Sequence, residues 1–250
     1  MLRGITFSLL AIASMPAWGI DFRIETKVYR GDEELPITQN TTLFQNGVIY
    51  DFVESTGRVA IYRHQRGETP GQFVLIDPVR SVKTDITIDR MDSAIEKLRA
   101  WSRTQRDPLL VFAADPKFDQ LYDEETGVLT LESPSMTYRL ATVPVERTEA
   151  WKDLRNYFDG YAKLNCILAS SMPPMPRLAV NDALEKRNAV PVEVNLKISD
   201  DEDQQLRAEH LFTWMLSKDD RARITLVGEQ IVNFRDISNK EFRGDSVASK

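Results

Sequence analysis

Thr42-Leu43-Phe44-Gln45-Asn46-Gly47-Val48-Ile49-Tyr50-Asp51-Phe52 decides the fold class. Two β-prone runs flank Asn46-Gly47, a dipeptide whose residues tolerate φ > 0 in a two-residue hairpin turn. The stretch therefore predicts two antiparallel neighbours, and punctuation of the same kind continues on either side. Ser55-Thr56-Gly57 turns into a strand over Val59–His64, and Gly67-Glu68-Thr69-Pro70-Gly71 turns into Phe73–Ile76. Asp77-Pro78 breaks that strand before Arg80–Thr87, where Val82, Thr84 and Ile86 share a face. Connections this short require antiparallel pairing. Phe73-Val74-Leu75-Ile76 is apolar at every position and is expected to be the most deeply covered strand. Upstream, Ile20, Phe22, Ile24, Thr26 and Val28 alternate with Asp21, Arg23, Glu25, Lys27 and Tyr29, the pattern of a half-buried strand.

After this meander the period changes. Ile88, Met91, Ile95, Leu98 and Trp101 recur at three and four, which predicts a helix over 89–104, ended near Asp107-Pro108. Strands are expected around 118–123, 128–131 and 136–143, then a helix over 147–169 with Gly160 as a weak point. The prolines in Ser171-Met172-Pro173-Pro174-Met175-Pro176 read as stiff, extended chain, followed by a short helix over 177–187. Val190, Val192, Val194, Leu196 and Ile198 alternate cleanly as a strand. An acidic turn, Asp200–Asp203, leads into a further strand over 206–216. Ser217 with Asp220 caps a last helix carrying Ile224, Val227, Ile231 and Phe234. The expected fold class is α+β: a curved, largely antiparallel, half-barrel-like sheet covered on one face by three or four helices, as a single domain over 20–250.

The N-terminus opens Met1-Leu2-Arg3, runs apolar from Ile5 to Met15, and continues Pro16-Ala17-Trp18-Gly19. A basic start, a short apolar core and small residues at Ala17 and Gly19 make up a signal peptide, with cleavage expected after Gly19. The run falls short of the ~20 residues that span a bilayer. No second apolar span follows, so the expected location is periplasmic or secreted, with no integral membrane span. Cleavage would leave 31 basic against 38 acidic residues, a net charge of −7. That balance lacks the cationic footprint that nucleic acid requires.

Composition excludes several chemistries. The 11 glycines contain no pair spaced for GxGxxG or GxxxxGK. Two histidines and one cysteine cannot build a Cys₂His₂ or Cys₄ zinc site, and a lone Cys166 cannot form an internal disulfide. No cofactor is expected. Gly67-Glu68-Thr69-Pro70-Gly71 has nucleophile-elbow spacing, but a strand follows it where an elbow needs a helix, so it reads as a hairpin loop. His64 ends a strand and reads as an exposed polar residue. His210 shares the parity of Leu206, Ala208, Phe212, Trp214 and Leu216, as either a core histidine or one that faces a ligand. Asp115, Asp119 and Asp123 are four apart, and a glycosidase-like carboxylate pair stays open on counting alone. Asp200-Asp201-Glu202-Asp203 lacks the glycine and distal Glu of a calcium loop. Asn40-Thr41-Thr42 is a sequon, relevant only in a eukaryotic secretory host.

Phe73-Val74-Leu75-Ile76-Asp77-Pro78 with Val82-Lys83-Thr84, and Leu206-Arg207-Ala208-Glu209-His210 with Phe212-Thr213-Trp214, resemble a group of exported bacterial proteins to which no activity is attached. The strand–Asp77-Pro78–strand unit and Val190-Pro191-Val192-Glu193-Val194 are more distantly similar to periplasmic lipoprotein carriers of the LolA type. This chain opens with a strand where those carriers open with a helix. The resemblance implies a curved antiparallel sheet whose helix-plugged face holds acyl chains.

The expected function is thus a non-enzymatic periplasmic binding or carrier protein for an apolar ligand or lipoprotein. Tyr62, Phe73, His210, Phe212 and Trp214 are its candidate ligand-binding residues, with no catalytic or metal-binding residue assigned. The implied partners are a lipid or lipoprotein, or an envelope protein. Two alternatives stand: an envelope scaffolding protein acting through its surface, and a carboxylate-dependent hydrolase.

Overall fold

A computed structural model describes residues 20–65, 67–169, 172–198 and 205–244. The expected signal peptide and the Asp200–Asp203 turn lie outside those residues. β1 (Phe22–Arg30), β2 (Thr38–Gln45), β3 (Val48–Val53), β4 (Val59–Arg63), β5 (Gln72–Asp77) and β6 (Val82–Thr87) form the antiparallel meander that the turn residues predict. Asn46 and Gly47 carry the hairpin between β2 and β3 at φ +52° and +70°. After α1 (Ile88–Ser102) and α2 (Pro108–Ala114), a second set follows: β7 (Asp119–Asp123), β8 (Val128–Glu132) and β9 (Met136–Pro144). α3 (Trp151–Ala169) and α4 (Met175–Glu185) precede β10 (Ala189–Ile198) and β11 (Gln205–Thr213). α5 (Lys218–Asn233), β12 (Arg235–Asp236) and α6 (Asn239–Arg243) complete the described chain.

One 12-stranded sheet results, in the order β12-β6-β5-β4-β3-β2-β1-β11-β10-β9-β8-β7. It is open, and only the two-residue β12 pairs in parallel. The two meanders join where β1 meets β11, from Arg23 opposite Thr213 to Arg30 opposite Leu206. Residues directly opposite each other share a face. On one face Phe22, Phe44, Ile49, Tyr62, Phe73 and Ile86 therefore align across β1 to β6, and α3 and α1 cover them through Leu154, Tyr157, Leu164 and Met91. The other face of the same strands carries Leu43, Ile61, Val74 and Ile76 and is covered by α5 through Val227, Ile224 and Ile231. A second cluster unites Leu129, Leu131, Tyr138, Leu140 and Val194 with Val180, Ala183 and Leu184 of α4.

Local sequence explains the helix starts. Thr87 accepts the Arg90 amide at the start of α1, and Ser217 with Asp220 forms a reciprocal capping box for α5. Gly160 is no weak point: it lets α3 approach the sheet where Phe73 and Tyr62 stand.

Three expectations need correction. Helices cover both faces of the sheet rather than one, because α5 lies opposite α1 and α3. The described residues hold six α-helices rather than three or four. α2 and α6 have 7 and 5 residues, too short to display a 3.6-residue period, although Asp107-Pro108 supplies a cap and first residue to α2 and Ser238 caps α6. The proline run is not wholly extended either, because Met175-Pro176 already forms the first turn of α4. Proline is tolerated there, where no intrahelical N–H bond is lost.

Candidate functional site

The middle of a covered sheet is ordinarily its most buried part. Here the α3 face of β2 to β5 obeys that rule, with Phe73 at 0% and Phe44 at 2% exposure. Part of the same face at the junction does not, although Phe22 and Ile24 of β1 and Val194 of β10 are buried there. Thr26 and Val28 of β1, Leu196 of β10, Ala208, His210 and Phe212 of β11, and the adjoining Trp214 are only half-buried, and Leu206 is 38% exposed. The two core clusters of this face lie on either side. Phe212 and Trp214 pack on the α3 cluster, whereas Leu196 and Ala208 pack on the α4 cluster, and Trp151 touches both. An apolar strip, incompletely covered, thus runs along the junction between the territories of α3 and α4.

Polar groups are set into this strip and beside it. His210 Nδ1 lies 2.9 Å from Thr26 Oγ1 on the neighbouring strand. Burial, and then the positive charge of Arg177, push the His210 pKa down to about 3, so the ring is neutral at physiological pH. Arg177, in the first turn of α4, interacts electrostatically with His210, with the Tyr138 phenol on β9 and with Asp159. Under α3 the Asp51 carboxylate, 1% exposed, accepts hydrogen bonds from Asn40 Nδ2 and Thr42 Oγ1, both at 2.7 Å. Tyr161 and Tyr157 add their hydroxyls, at 3.0 Å from Asn40 Nδ2 and 3.3 Å from Thr42 Oγ1. Burial raises the Asp51 pKa against the opposing effect of these bonds. This network is satisfied internally and serves packing. Asn40, the sequon residue, is buried within it.

A second concavity lies at the far end of β4. An open cleft of about 660 Å³ is lined by Tyr62, His64, Gln65, Ile88, Asp89, Lys152, Asp153 and others. His64 Nε2 lies 3.2 Å from Asp153 Oδ1, each side chain being one-fifth exposed, and the Tyr62 ring edges onto the imidazole at 4.8 Å. A carboxylate beside imidazole is the orienting half of a nucleophilic site. No Ser, Thr or Cys side chain hydrogen-bonds His64 among the described residues.

The five candidate residues fall into two places. His210, Phe212 and Trp214 occupy the strip, with the Trp214 ring 5.1 Å from that of Phe22 and 6.2 Å from that of Phe212. Tyr62 borders the cleft, and Phe73 is fully enclosed 4.9 Å from it. The aspartates at 115, 119 and 123 do not converge: Asp115 pairs with Arg99 and Arg103, and Asp123 caps the following turn. Among the described residues no three His, Cys, Asp or Glu side chains are grouped so that they could hold a metal ion. Arg177 and the His64–Asp153 pair escape a sequence reading because each acquires meaning only from partners distant in the chain. No helix among the described residues is long and apolar enough to cross a membrane. No family model and no curated protein matches the chain.

Proposed function

We propose that this chain is a non-enzymatic carrier or binding protein that shelters an apolar ligand, or the acyl part of a lipoprotein, along the β1–β11 strip. In this reading residues 1–19 direct export, the ligand is taken up in the periplasm or outside the cell, and the sheet curls as a half-barrel around α3 and α4. One observation carries the proposal: apolar and aromatic side chains at the centre of a 12-stranded sheet are only half-buried between two well-packed clusters. Filling that strip with an acyl chain would contribute roughly 25 cal/mol per Å² of apolar surface removed from water.

Native mass spectrometry of protein purified from its own envelope tests this, together with titration by a neutral fluorescent hydrophobe such as 1-N-phenylnaphthylamine. A lipid-sized adduct and saturable binding are expected, weakened by Ala208→Trp, which adds bulk to the strip. Absence of both adduct and saturable binding overturns the proposal.

A further inference from the structure

The carrier reading leaves the cleft at the far end of β4 without an occupant. Its volume of about 660 Å³ falls within the ~300–1,000 Å³ of small-molecule sites. Tyr62 forms part of its wall with only 7% of the residue exposed. The phenol hydroxyl has no hydrogen-bond partner among the described residues and is not sealed from solvent, so the cleft is where its donor is available. Burial, and then the charges of Asp153, Asp159 and Asp92, raise the Tyr62 pKa, so the hydroxyl keeps its proton. Asp89, Lys152 and Asn156 also line the cleft, and none of their side chains bonds another described residue. His64 Nε2, 3.2 Å from Asp153 Oδ1, is not aligned for a hydrogen bond, which leaves that carboxylate open to other donors.

The charges of the wall decide against an ionic ligand. Two carboxylates, Asp89 and Asp153, face one ammonium, Lys152, and protonation of His64 would balance them. Each carboxylate stands in the first turn of its own helix, Asp89 in α1 and Asp153 in α3, where the helix dipole already compensates it. Asp159 and Asp92, outside the lining, are paired with Arg155 and Lys163 at 2.7 Å each. An anion would meet the two carboxylates, and a cation would meet Lys152 and the positive ends of two helices. What remains is a neutral ligand that satisfies donors and acceptors together.

A sugar chain does so. Each hydroxyl both donates and accepts, and vicinal hydroxyls are spaced to engage both oxygens of a carboxylate or both ends of a carboxamide. The C–H face of the ring suits Ile88, the apolar part of the wall, beside which Gly71 presents bare backbone. We propose that the cleft binds a neutral saccharide, with Tyr62, Asp89, Asp153 and Asn156 bonding its hydroxyls and Ile88 meeting a C–H face. This site is separate from the β1–β11 strip and independent of the carrier reading.

Maltotriose, cellotriose and triacetylchitotriose, with deacetylated chitotriose and trigalacturonate as cationic and anionic counterparts, are titrated at neutral pH by calorimetry and saturation-transfer NMR. At least one neutral trisaccharide is expected to bind saturably, about tenfold or more tightly than either charged one. Asp89→Ala, on an exposed side chain, and Asn156→Ala should each weaken it by roughly tenfold, as the loss of one or two hydrogen bonds implies. Neither variant should change the binding of 1-N-phenylnaphthylamine at the strip. No binding of any neutral trisaccharide at millimolar concentration overturns the inference and leaves the carrier reading standing. Equal binding of a charged trisaccharide, or an affinity unchanged in both variants, overturns it as well. So does displacement of the fluorophore by the saccharide, since the two would then share one site. The wild-type panel needs no variant, so a folding defect in either does not remove the test.

Discussion

Gly160 in α3 faces the ring of Phe73 so closely that a Cβ at position 160 would lie 3.2 Å from both Cε2 and Cζ of that ring. Phe73 cannot yield easily, being fully buried between Tyr62, 4.9 Å away, and its cross-strand neighbour Ile86. Gly160→Ala would gain ~1 kcal/mol of helix propensity but lose about 1–3 kcal/mol to overpacking. We expect a net loss of about 1 kcal/mol in urea denaturation. In a Phe73→Leu background the added methyl has room, so the same change should become neutral or stabilising there. Stabilisation of the wild-type background by Gly160→Ala would show that α3 is free to lift from the sheet.

Asp51 makes a sharper case, because its charge and its hydrogen bonds are separable. The carboxylate accepts from Asn40 and Thr42 with no cation beside it. Asp51→Asn keeps an acceptor for Asn40 and can donate to Thr42 Oγ1, whose proton then turns toward Tyr157, 3.3 Å away. It should stay within about 1 kcal/mol of wild type at neutral pH. Asp51→Leu strands the donors beneath α3 and should cost roughly 3 kcal/mol. Equal losses for the two variants, read from thermal and urea unfolding, would mean that the charge itself holds the network.

The contrast between turns and long-range partners explains what could be read from the sequence. Asn46-Gly47 announces its hairpin because the φ > 0 requirement is met by two adjacent residues, and the meander from β2 to β6 follows from similar punctuation. The strip needs β1 against β11, which brings Thr26 to His210 across 184 residues, and no local pattern encodes that pairing. Parity did place His210, Phe212 and Trp214 on one face, since the period-2 rule is local. Arg177 follows a proline run that reads as extended chain, and its electrostatic interaction with Asp159 of α3 and Tyr138 of β9 exists only once α4 docks. His64 reads as an exposed strand end until α3 brings Asp153 to it.

His210 should dominate the stability profile on the mildly acidic side of neutrality. Its folded pKa is depressed to about 3, whereas an unfolded histidine titrates near ~6.5. Between those values the unfolded chain binds the proton and the folded one does not, so stability falls as pH drops, by up to ~1.4 kcal/mol per pH unit. Asp51, with a raised pKa, acts oppositely, above the ~3.9 of an unfolded aspartate and below its own elevated value. Urea midpoints taken from neutrality down to about pH 5 should therefore decline for the wild type by an amount that largely vanishes in His210→Gln. Parallel curves for the two proteins would place the sensitivity elsewhere.

One guanidinium ties the end of helix α6 to the turn after β5, while Asn239 fastens its start to Thr84 and Asp85 of β6. Arg80 donates to the Phe242 carbonyl at 2.6 Å and to the Glu241 carbonyl at 3.2 Å, and its guanidinium carbon lies 5.3 Å from the centre of the Phe242 ring. Asp77, 3% exposed, fixes Arg80 from behind, accepting Nε at 3.0 Å and the Arg80 amide at 3.1 Å, with Arg58 Nε also at 3.0 Å. Burial alone would raise the Asp77 pKa, but these bonds outweigh it and hold the carboxyl below its usual value. Its stabilising contribution is present above the unfolded pKa of ~3.9 and is lost as pH falls through the lower folded value. Arg80→Ala should cost about 1–2 kcal/mol and speed hydrogen exchange at the Phe242 amide, which bonds the Ser238 carbonyl at 2.9 Å. Arg80→Lys should not restore protection, because one ammonium cannot reach two carbonyls and the Asp77 carboxylate in the geometry of a fork. Full protection of that amide in Arg80→Ala would mean that the buried Phe242 ring, 5% exposed, and the Asn239 bonds to β6 suffice to anchor the helix.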